Sequence, residues 1–225
     1  MTTIRTPRTL AVEHLDPIIK TIALTMGVAW ASGINLYAAI LVLGILGASG
    51  NITLPSDMLI LADPLVIGAA GIMYVVEFFA DKIPGVDNCW DTVSTFIRIP
   101  VGALLAAAAV GDVSPAVVTA ATLLGGGMTA TTHAAKAGTR VLINTSPEPF
   151  TTWFASLGED VAVIAGLWTA LHYPALFVIF LIAFIVFCIW LLPKIWRGVV
   201  RIFSFLANFF RTKQDTSFNN ERVNK

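Results

Sequence analysis

The chain has 225 residues, of which 56% are apolar and only 12% are charged, and its formal net charge is zero. A soluble globular domain carries about 25% charged residues, so this composition excludes that class and indicates an integral membrane protein. The zero net charge offers no basic field to nucleic acid, so we expect no nucleic-acid partner. Cys89 lies in a polar segment and Cys188 in an apolar one, which indicates neither a disulfide framework nor a metal knuckle.

The N-terminal part of the chain predicts a short cytoplasmic segment followed by a membrane span. Residues 1–20 do not resemble a cleaved signal peptide, and residues 10–20 are either an amphipathic surface helix or a frayed tail. Residues 21–47 are predicted as the first span, because about 27 mostly apolar residues can cross a hydrocarbon core of about 30 Å. In its middle, Ser32, Gly33 and Asn35 are either helix-packing residues or part of a polar pathway.

The next two predicted spans carry charged residues. Leu54-Pro55-Ser56-Asp57 resembles the start of a short re-entrant or interfacial helix. The second span, residues 65–83, contains Glu77 and Asp81, which lie four residues apart and so share one face of a helix. The third span, about residues 91–110, is long enough to cross only if Arg98 snorkels to the membrane surface.

The fourth predicted span, residues 114–143, combines glycines with a cationic stripe. Gly125, Gly126 and Gly127 lie near its centre and predict a helix break, although a kink or a very close helix contact would also suit them. His133, Lys136 and Arg140 follow at the spacing of one helical face.

The C-terminal part of the chain predicts two more spans and a surface helix. The fifth span, residues 151–171, contains Glu159 and Asp160, and the sixth, residues 175–192, is purely apolar and expected to face lipid. After Pro193, alternating basic and aromatic residues predict an amphipathic interfacial helix, and residues 212–225 are predicted to be disordered.

The distribution of basic residues predicts the orientation. They collect in alternate connecting segments, so the positive-inside rule predicts six spans with both termini in the cytoplasm. The six spans divide into residues 21–111 and 112–193, followed by the C-terminal segment 194–225. Each half has a small-residue patch, then Asn before a Pro-containing acidic turn, then an acidic pair, which predicts a 3+3 inverted repeat. Such repeats are characteristic of secondary transporters.

Several motifs resemble those of a known family. They are Ala31-Ser-Gly-Ile-Asn-Leu-Tyr, the stretch from Val76 to Asp91, Phe96-Ile-Arg, His133-Ala-Ala-Lys-Ala-Gly-Thr-Arg and Asn144-Thr-Ser-Pro-Glu-Pro-Phe. In this order they resemble a bacterial membrane-protein family known as domain-of-unknown-function family 4126, over roughly residues 20–170. The resemblance implies a multi-pass protein of the bacterial inner membrane and no particular activity.

The charged residues within the spans are the candidate site. A carboxylate at bilayer depth costs a few kcal/mol or more unless it faces a cation, a cavity or the protein interior. We therefore expect a polar centre, either a set of structural ion pairs or a pathway for a substrate or ion. A metal site formed by the four carboxylates is the weakest alternative, and no metal or cofactor is predicted. The pathway residues would be Ser32, Asn35, Glu77, Asp81, His133, Lys136, Arg140, Glu159 and Asp160.

Two functions from different classes remain after the motifs of enzymes are considered. The sequence has no nucleophile elbow, zinc-protease motif, P-loop or dinucleotide fingerprint, and no nucleophile accompanies His133, so we expect no enzyme. The first function is a small transporter or channel that moves an ion, small solute or lipid through the charged centre, with or without proton coupling. The alternative is a membrane scaffold whose ion pairs only fix helix packing. The expected partners are the lipid bilayer and an unknown small ligand or ion, and the sequence leaves room for a homo-oligomer.

Overall fold

In the computed structural model, which describes residues 7–83, 85–143 and 149–223, the chain is all-helical, with no strand in those ranges. Proline is the first residue of five helices, a position where its missing N–H costs no helical hydrogen bond. The elements are α1 (Pro7–Ala48), a 3₁₀ helix (Ser56–Ala62), α2 (Pro64–Ala80), α3 (Val86–Ala109), α4 (Pro115–Ile143), α5 (Pro149–His172) and α6 (Pro174–Val223).

Several of these helices identify a membrane-spanning protein. Among the described residues, four stretches are long and apolar enough to cross a membrane, namely Asp16–Ala48, Cys89–Ala109, Thr151–His172 and Pro174–Gly198. The 3₁₀ helix and α2, bent by 65° to each other, make a fifth if they are counted as one broken span. Helix α4, which carries the cationic stripe, is not among them. The six predicted spans therefore have matching helices, but only four or five pass this test.

The helical bundle has two ends, each marked by a turn between helices. We call the end that carries the α3–α4 turn the Gly111 end, and the opposite end, which carries the α2–α3 turn, the Lys82 end. Helices α2, α4 and α6 run from the Gly111 end to the Lys82 end, and α3 and α5 run back.

Helix α1 is divided by one residue with non-helical backbone angles. Asn35 has φ −147° and ψ 100°. Its side-chain Oδ1 accepts a hydrogen bond from the Ala38 N–H at 2.9 Å, which is the bond that an Asn N-cap makes at the start of a helix. The second half of α1 is therefore a new helix with its own cap.

The first half of α1 runs from the Gly111 end to the middle of the bundle. Near its start, Pro17 lines a groove together with Val110 and Val117, which flank the α3–α4 turn. Farther along, the Ala29 carbonyl accepts a hydrogen bond from the Thr129 hydroxyl of α4 at 2.9 Å. Later residues of α1 contact later residues of α4, so this half of α1 is parallel to α4.

The second half of α1 returns to the end at which the first half began. Gly47, near its C-terminus, packs against Leu54. The neighbouring Pro55 faces Gly111 of the α3–α4 turn, where an added Cβ would lie 3.9 Å from the proline ring. Both ends of α1 therefore lie at the Gly111 end. We call this unit the α1 hairpin; its tip consists of Ile34 and Asn35.

The hairpin changes the topology predicted from the sequence. The structure differs from the prediction of one uninterrupted span over residues 21–47, because the helix is divided at Asn35 and its second half folds back. The N-terminal half of α1 starts at the Gly111 end, whereas Gly198 of α6 packs against Leu142 of α4 at the Lys82 end. The predicted cytoplasmic location of both termini stays a prediction. In the predicted inverted repeat α4 is the counterpart of α1, but α4 is a continuous helix without such a turn.

The glycines of α4 do not break the helix. Helix α4 is continuous through Gly125, Gly126 and Gly127, so the predicted helix break is wrong there. The close-contact alternative applies to Gly125, because an added Cβ would collide with the Ala106 side chain of α3. An added Cβ at Gly127 would meet no atom within 4 Å, so this residue faces away from the packed interior.

Helix α6 continues without interruption through Pro193 to Val223. The structure therefore shows no separate helix after Pro193, and residues 212–223 of the predicted disordered tail are helical. Within the apolar part, Phe177 and Leu181 are buried, whereas Ile179, Ile182 and Val186 are exposed. This part of α6 therefore packs on one side and is free to face lipid on the other. The motif residues 144–148 lie outside the described residues.

Candidate functional site

Buried charged side chains gather around the tip of the α1 hairpin. We call this group the charged centre. All of its members are at most 6% exposed except Glu159, whose side chain is 21% exposed. The members are Glu77, Asp81, Asp87, Asp91, Arg98, Lys136, Arg140, Glu159 and Asp160.

Lys136 of α4 joins carboxylates from three other helical segments. Its Nζ lies 3.0 Å from Asp81, 3.3 Å from Glu159, 3.4 Å from Glu77 and 3.7 Å from Asp91. These distances bring the acidic face of α2 and the cationic stripe of α4 together in a polar centre of the kind expected from the sequence. Lys136 thus connects four of the six carboxylates of the charged centre.

Arg98 of α3 is the main residue that the sequence analysis missed. It was expected to snorkel to the membrane surface, but its side chain is fully buried. It forms an ion pair with Glu77 and lies 3.8 Å from Asp91. Because α3 begins at Val86 rather than near residue 91, Arg98 lies well inside the helix. The spacing of seven residues between Asp91 and Arg98, which places both on one helical face, was the signal in the sequence.

Arg140 of α4 holds the charged centre at the Lys82 end. Its guanidinium donates two hydrogen bonds to Glu159, at 2.7 and 3.1 Å, in the bidentate geometry typical of strong Arg–carboxylate pairs. It also donates to the Asp81 carbonyl at 2.8 Å and lies 3.9 Å from Asp87. Arg140 therefore ties α5 and the α2–α3 turn to α4.

The tip of the hairpin contributes a backbone acceptor to this group. In a continuous helix the Ile34 carbonyl would accept from the Ala38 N–H, but that N–H bonds to the Asn35 side chain instead. The freed Ile34 carbonyl accepts hydrogen bonds from Arg98 at 2.8 Å and from Lys136 at 3.1 Å. Two buried cations therefore bind irregular backbone in the middle of the bundle.

Asp160 of α5 has different partners from the other carboxylates. Its Oδ1 accepts a hydrogen bond from the Asn35 amide at 3.1 Å, and the Tyr74 hydroxyl of α2 is a second donor beside the carboxyl group. Its Oδ2 has no hydrogen-bond partner within the described part of the chain. The predicted site residues Asn35 and Asp160 are thus brought together, but not by an ion pair.

The remaining predicted residues have smaller roles. His133 contacts the Thr95 hydroxyl at 2.6 Å and the Asp91 carbonyl at 3.1 Å through Nε2, so it links α4 to α3. Ser32 is fully buried, but its hydroxyl has no hydrogen-bond partner among the described residues.

Lys82 lies at the rim of the charged centre. Its ammonium group is 2.9 Å from the centroid of the Phe78 ring and donates to the Phe78 carbonyl at 3.2 Å. Partial burial lowers the pKa of Lys82 from its ordinary value.

The charges in this group are unbalanced. In the part of the chain that the structure describes, the charged centre contains six carboxylates and three cations, and Lys82 at its rim provides a fourth. In those same ranges, no group of three or more His, Cys, Asp or Glu side chains is placed to hold a metal ion.

Two apolar grooves of about 520 Å³ each open elsewhere on the bundle. One is lined by the first half of α1 and by α4, including Thr25 and Leu124. The other lies between α4 and α6, around Gly138 and Ile195. Neither groove is lined by a member of the charged centre.

Together, the apolar helices and the charged centre define a polytopic membrane protein with a polar core at a helix break. A family described as Domain of unknown function (DUF4126) matches residues 22–194, and the chain belongs to this family. The resemblance read from the motifs is thereby confirmed. No curated protein and no solved structure matches the chain.

Proposed function

We propose that this protein is a small transporter of the bacterial inner membrane that moves an ion or small solute through the charged centre. The observation that carries the proposal is the tip of the α1 hairpin, where a freed backbone carbonyl meets Arg98 and Lys136. Irregular backbone at membrane depth is tolerated only where it is buried in protein or lines a cavity. Secondary transporters place such helix breaks at their substrate and ion sites.

The imbalance of charge supports transport of a cationic species. A purely structural network reaches electrical balance when each buried carboxylate has a cation of its own. Here the carboxylates outnumber the cations among the described residues, even when Lys82 is included. Since an unbalanced buried charge is expensive, a bound cation or proton would stabilise this group.

The hairpin leads to a specific membrane topology in this proposal. Lys82 lies at one end of the bundle, and Lys194, Arg197 and Arg201 follow the apolar part of α6 at that same end, so the positive-inside rule makes it cytoplasmic. The chain then has five spans, α2 to α6, and a re-entrant hairpin α1 that enters from the opposite face. Helix α2 runs opposite to α5, and α3 runs opposite to α6. The inverted repeat therefore remains a proposal for those four helices.

A second candidate function is the membrane scaffold. It is favoured by the pairing of Arg98, Lys136 and Arg140, each of which already has carboxylate partners. It is also favoured by the apolar grooves, neither of which is lined by the charged centre.

Flux into reconstituted vesicles distinguishes the two functions. The panel contains protons, Na⁺, K⁺, small neutral and charged solutes, and fluorescent lipids. We expect the wild type to move at least one of them faster than empty vesicles do. Glu159→Gln, which keeps the size of a partly exposed member of the charged centre, should change that rate by about tenfold or more. Asp112→Asn, in the exposed α3–α4 turn, is the matched control and should behave as the wild type. If the wild type equals empty vesicles for every member of the panel, the scaffold is the better proposal.

A further inference from the structure

Asp160 is distinguished from the other carboxylates of the charged centre by its lack of a cationic partner. Glu77, Asp81, Asp87, Asp91 and Glu159 each have a Lys or Arg nitrogen within 4.0 Å. Within the described residues, no such ion pair includes Asp160. Yet Asp160 is 94% buried, since its exposure is only 6%. An isolated ionised carboxylate in such a place is costly, and a buried carboxyl usually becomes neutral instead.

The Asn35 amide beside Asp160 suits a carboxyl rather than a metal-bound carboxylate. The Asn35 amide is held in one orientation, because its Oδ1 accepts the Ala38 N–H at 2.9 Å. It therefore presents its Nδ2 donor, and not an oxygen, to Asp160 Oδ1 at 3.1 Å. A hard cation such as Na⁺ or Ca²⁺ needs several oxygen ligands, and this neighbour offers none. The unpartnered Oδ2 is left to carry a proton.

We propose that Asp160 is a proton-binding site, and that the proton is the ion that this protein moves or uses for coupling. When a proton from water binds Oδ2, the carboxylate becomes a neutral carboxyl, and Oδ1 still accepts the hydrogen bond from Asn35. When the proton leaves, the negative charge returns beside the hairpin tip. The physiological role of this step rests on the transport function proposed above, but the binding of the proton does not.

The charged and titratable groups that face Asp160 come from three directions. Helix α2 and the turn after it contribute Tyr74, Asp81 and Lys82, and α4 contributes Lys136. The hairpin contributes the neutral Asn35. Helix α6 packs on α5, but no α6 group is among the described interactions of Asp160. The proton site is therefore connected directly to the hairpin tip through one hydrogen bond.

Infrared difference spectroscopy tests the proton site without any assumption about transport. Purified protein in lipid is compared at high and low pH, and the C=O band of protonated carboxyl groups is recorded. We expect the wild type to show a band from a buried carboxyl and Asp160→Asn to lose it. Glu159→Gln, on the same helix and paired with Arg140, is the matched control and should retain it.

A second variant tests the same point if Asp160→Asn does not fold. Asn35→Ala keeps the carboxyl but removes the donor to its Oδ1, so the band should move to higher wavenumber. A band that is unchanged in both variants would overturn the proposal, as would a band that disappears when Na⁺ is added at constant pH. A wild type that has the band but shows no flux in vesicles would instead count against the proposed transport function alone.

Discussion

Replacement of Lys136 by methionine is the perturbation that tests the charged centre as a unit. Methionine keeps a long unbranched side chain but removes the ammonium group, which lies between 3.0 and 3.7 Å from four carboxylates. It also removes the hydrogen bond to the Ile34 carbonyl at the hairpin tip. No other residue in the described chain contacts as many members of the charged centre.

The expected cost follows from which carboxylates keep a partner. Glu77 retains Arg98, and both Asp81, at 3.4 Å, and Glu159, in a bidentate pair, retain Arg140. Asp91 retains only Arg98, at 3.8 Å, and neither of its oxygens has a hydrogen bond to a described residue. The variant thus leaves one buried carboxylate poorly compensated. The loss of one partner from a buried ion pair costs about 3–5 kcal/mol, and we expect a decrease in unfolding free energy in that range.

The assay is reversible unfolding in mixed micelles, followed by tryptophan fluorescence. Lys20→Met, at an exposed position of α1, is the matched control and should change stability by less than about 0.5 kcal/mol. Because Asp91 is the carboxylate left without a good partner, Asp91→Asn in the Lys136→Met background should restore part of the loss. A single variant within about 1 kcal/mol of the wild type, or a double variant no more stable than the single, would refute the coupling of these charges.

Two further predictions concern the α1 hairpin. Gly33→Ala should destabilise the protein by about 1–3 kcal/mol, because the new Cβ would lie 2.6 Å from the Thr129 carbonyl oxygen. The control Gly68→Ala should leave stability unchanged, because its new Cβ meets no atom within 4 Å. Equal stabilities of the two variants would contradict the close packing of α1 on α4. In a variant without the exposed Cys89, single cysteines on opposite ends of the bundle should react with an impermeant thiol reagent from opposite faces of the membrane. The positions are Lys20, Asn51 and Asp112 at the Gly111 end and Ile83 at the Lys82 end. Reaction of all four cysteines from one face would contradict the topology.

The positions of the helices and part of the charged centre were predictable from local sequence. Proline, glycine and apolar runs locate the helices, and the spacing of Glu77 and Asp81 places both carboxylates on one face. The spacing of Lys136 and Arg140 likewise places both cations on one face of α4, and in the structure both lie against Asp81. Such inferences need only the period of a helix.

The α1 hairpin was not predictable from hydropathy, because the apolar content of a segment does not give its direction. Residues 21–47 have the composition of a single span, and one residue reverses them. The local signals were Gly33, whose missing side chain permits contact with α4, and Asn35, whose side chain can cap a new helix. Each signal also occurs in ordinary packed helices, so only the tertiary contacts distinguish the two arrangements.

The position of Arg98 was misjudged for a related reason. The apolar run after it is short, which made the helix seem to begin near Asp91. Residues 86–91 are in fact the first turns of α3, and two of them, Asp87 and Asp91, are buried against the cations of α4. Polar side chains that pair with each other in the interior look, in the sequence, like a surface segment.

The distance between the two ends of α1 is the measurement that tests the hairpin, and with it the helix break on which the proposed pathway depends. Spin labels are placed at Lys20 and Asn51, both exposed, in a variant without the native cysteines, and their separation is measured by pulsed electron paramagnetic resonance in lipid. A straight helix of 31 residues between the labels would be about 46 Å long. The hairpin predicts a distance well below that value, because both labels lie at the Gly111 end. A distribution centred near 46 Å would contradict the hairpin and remove the main support for transport at its tip.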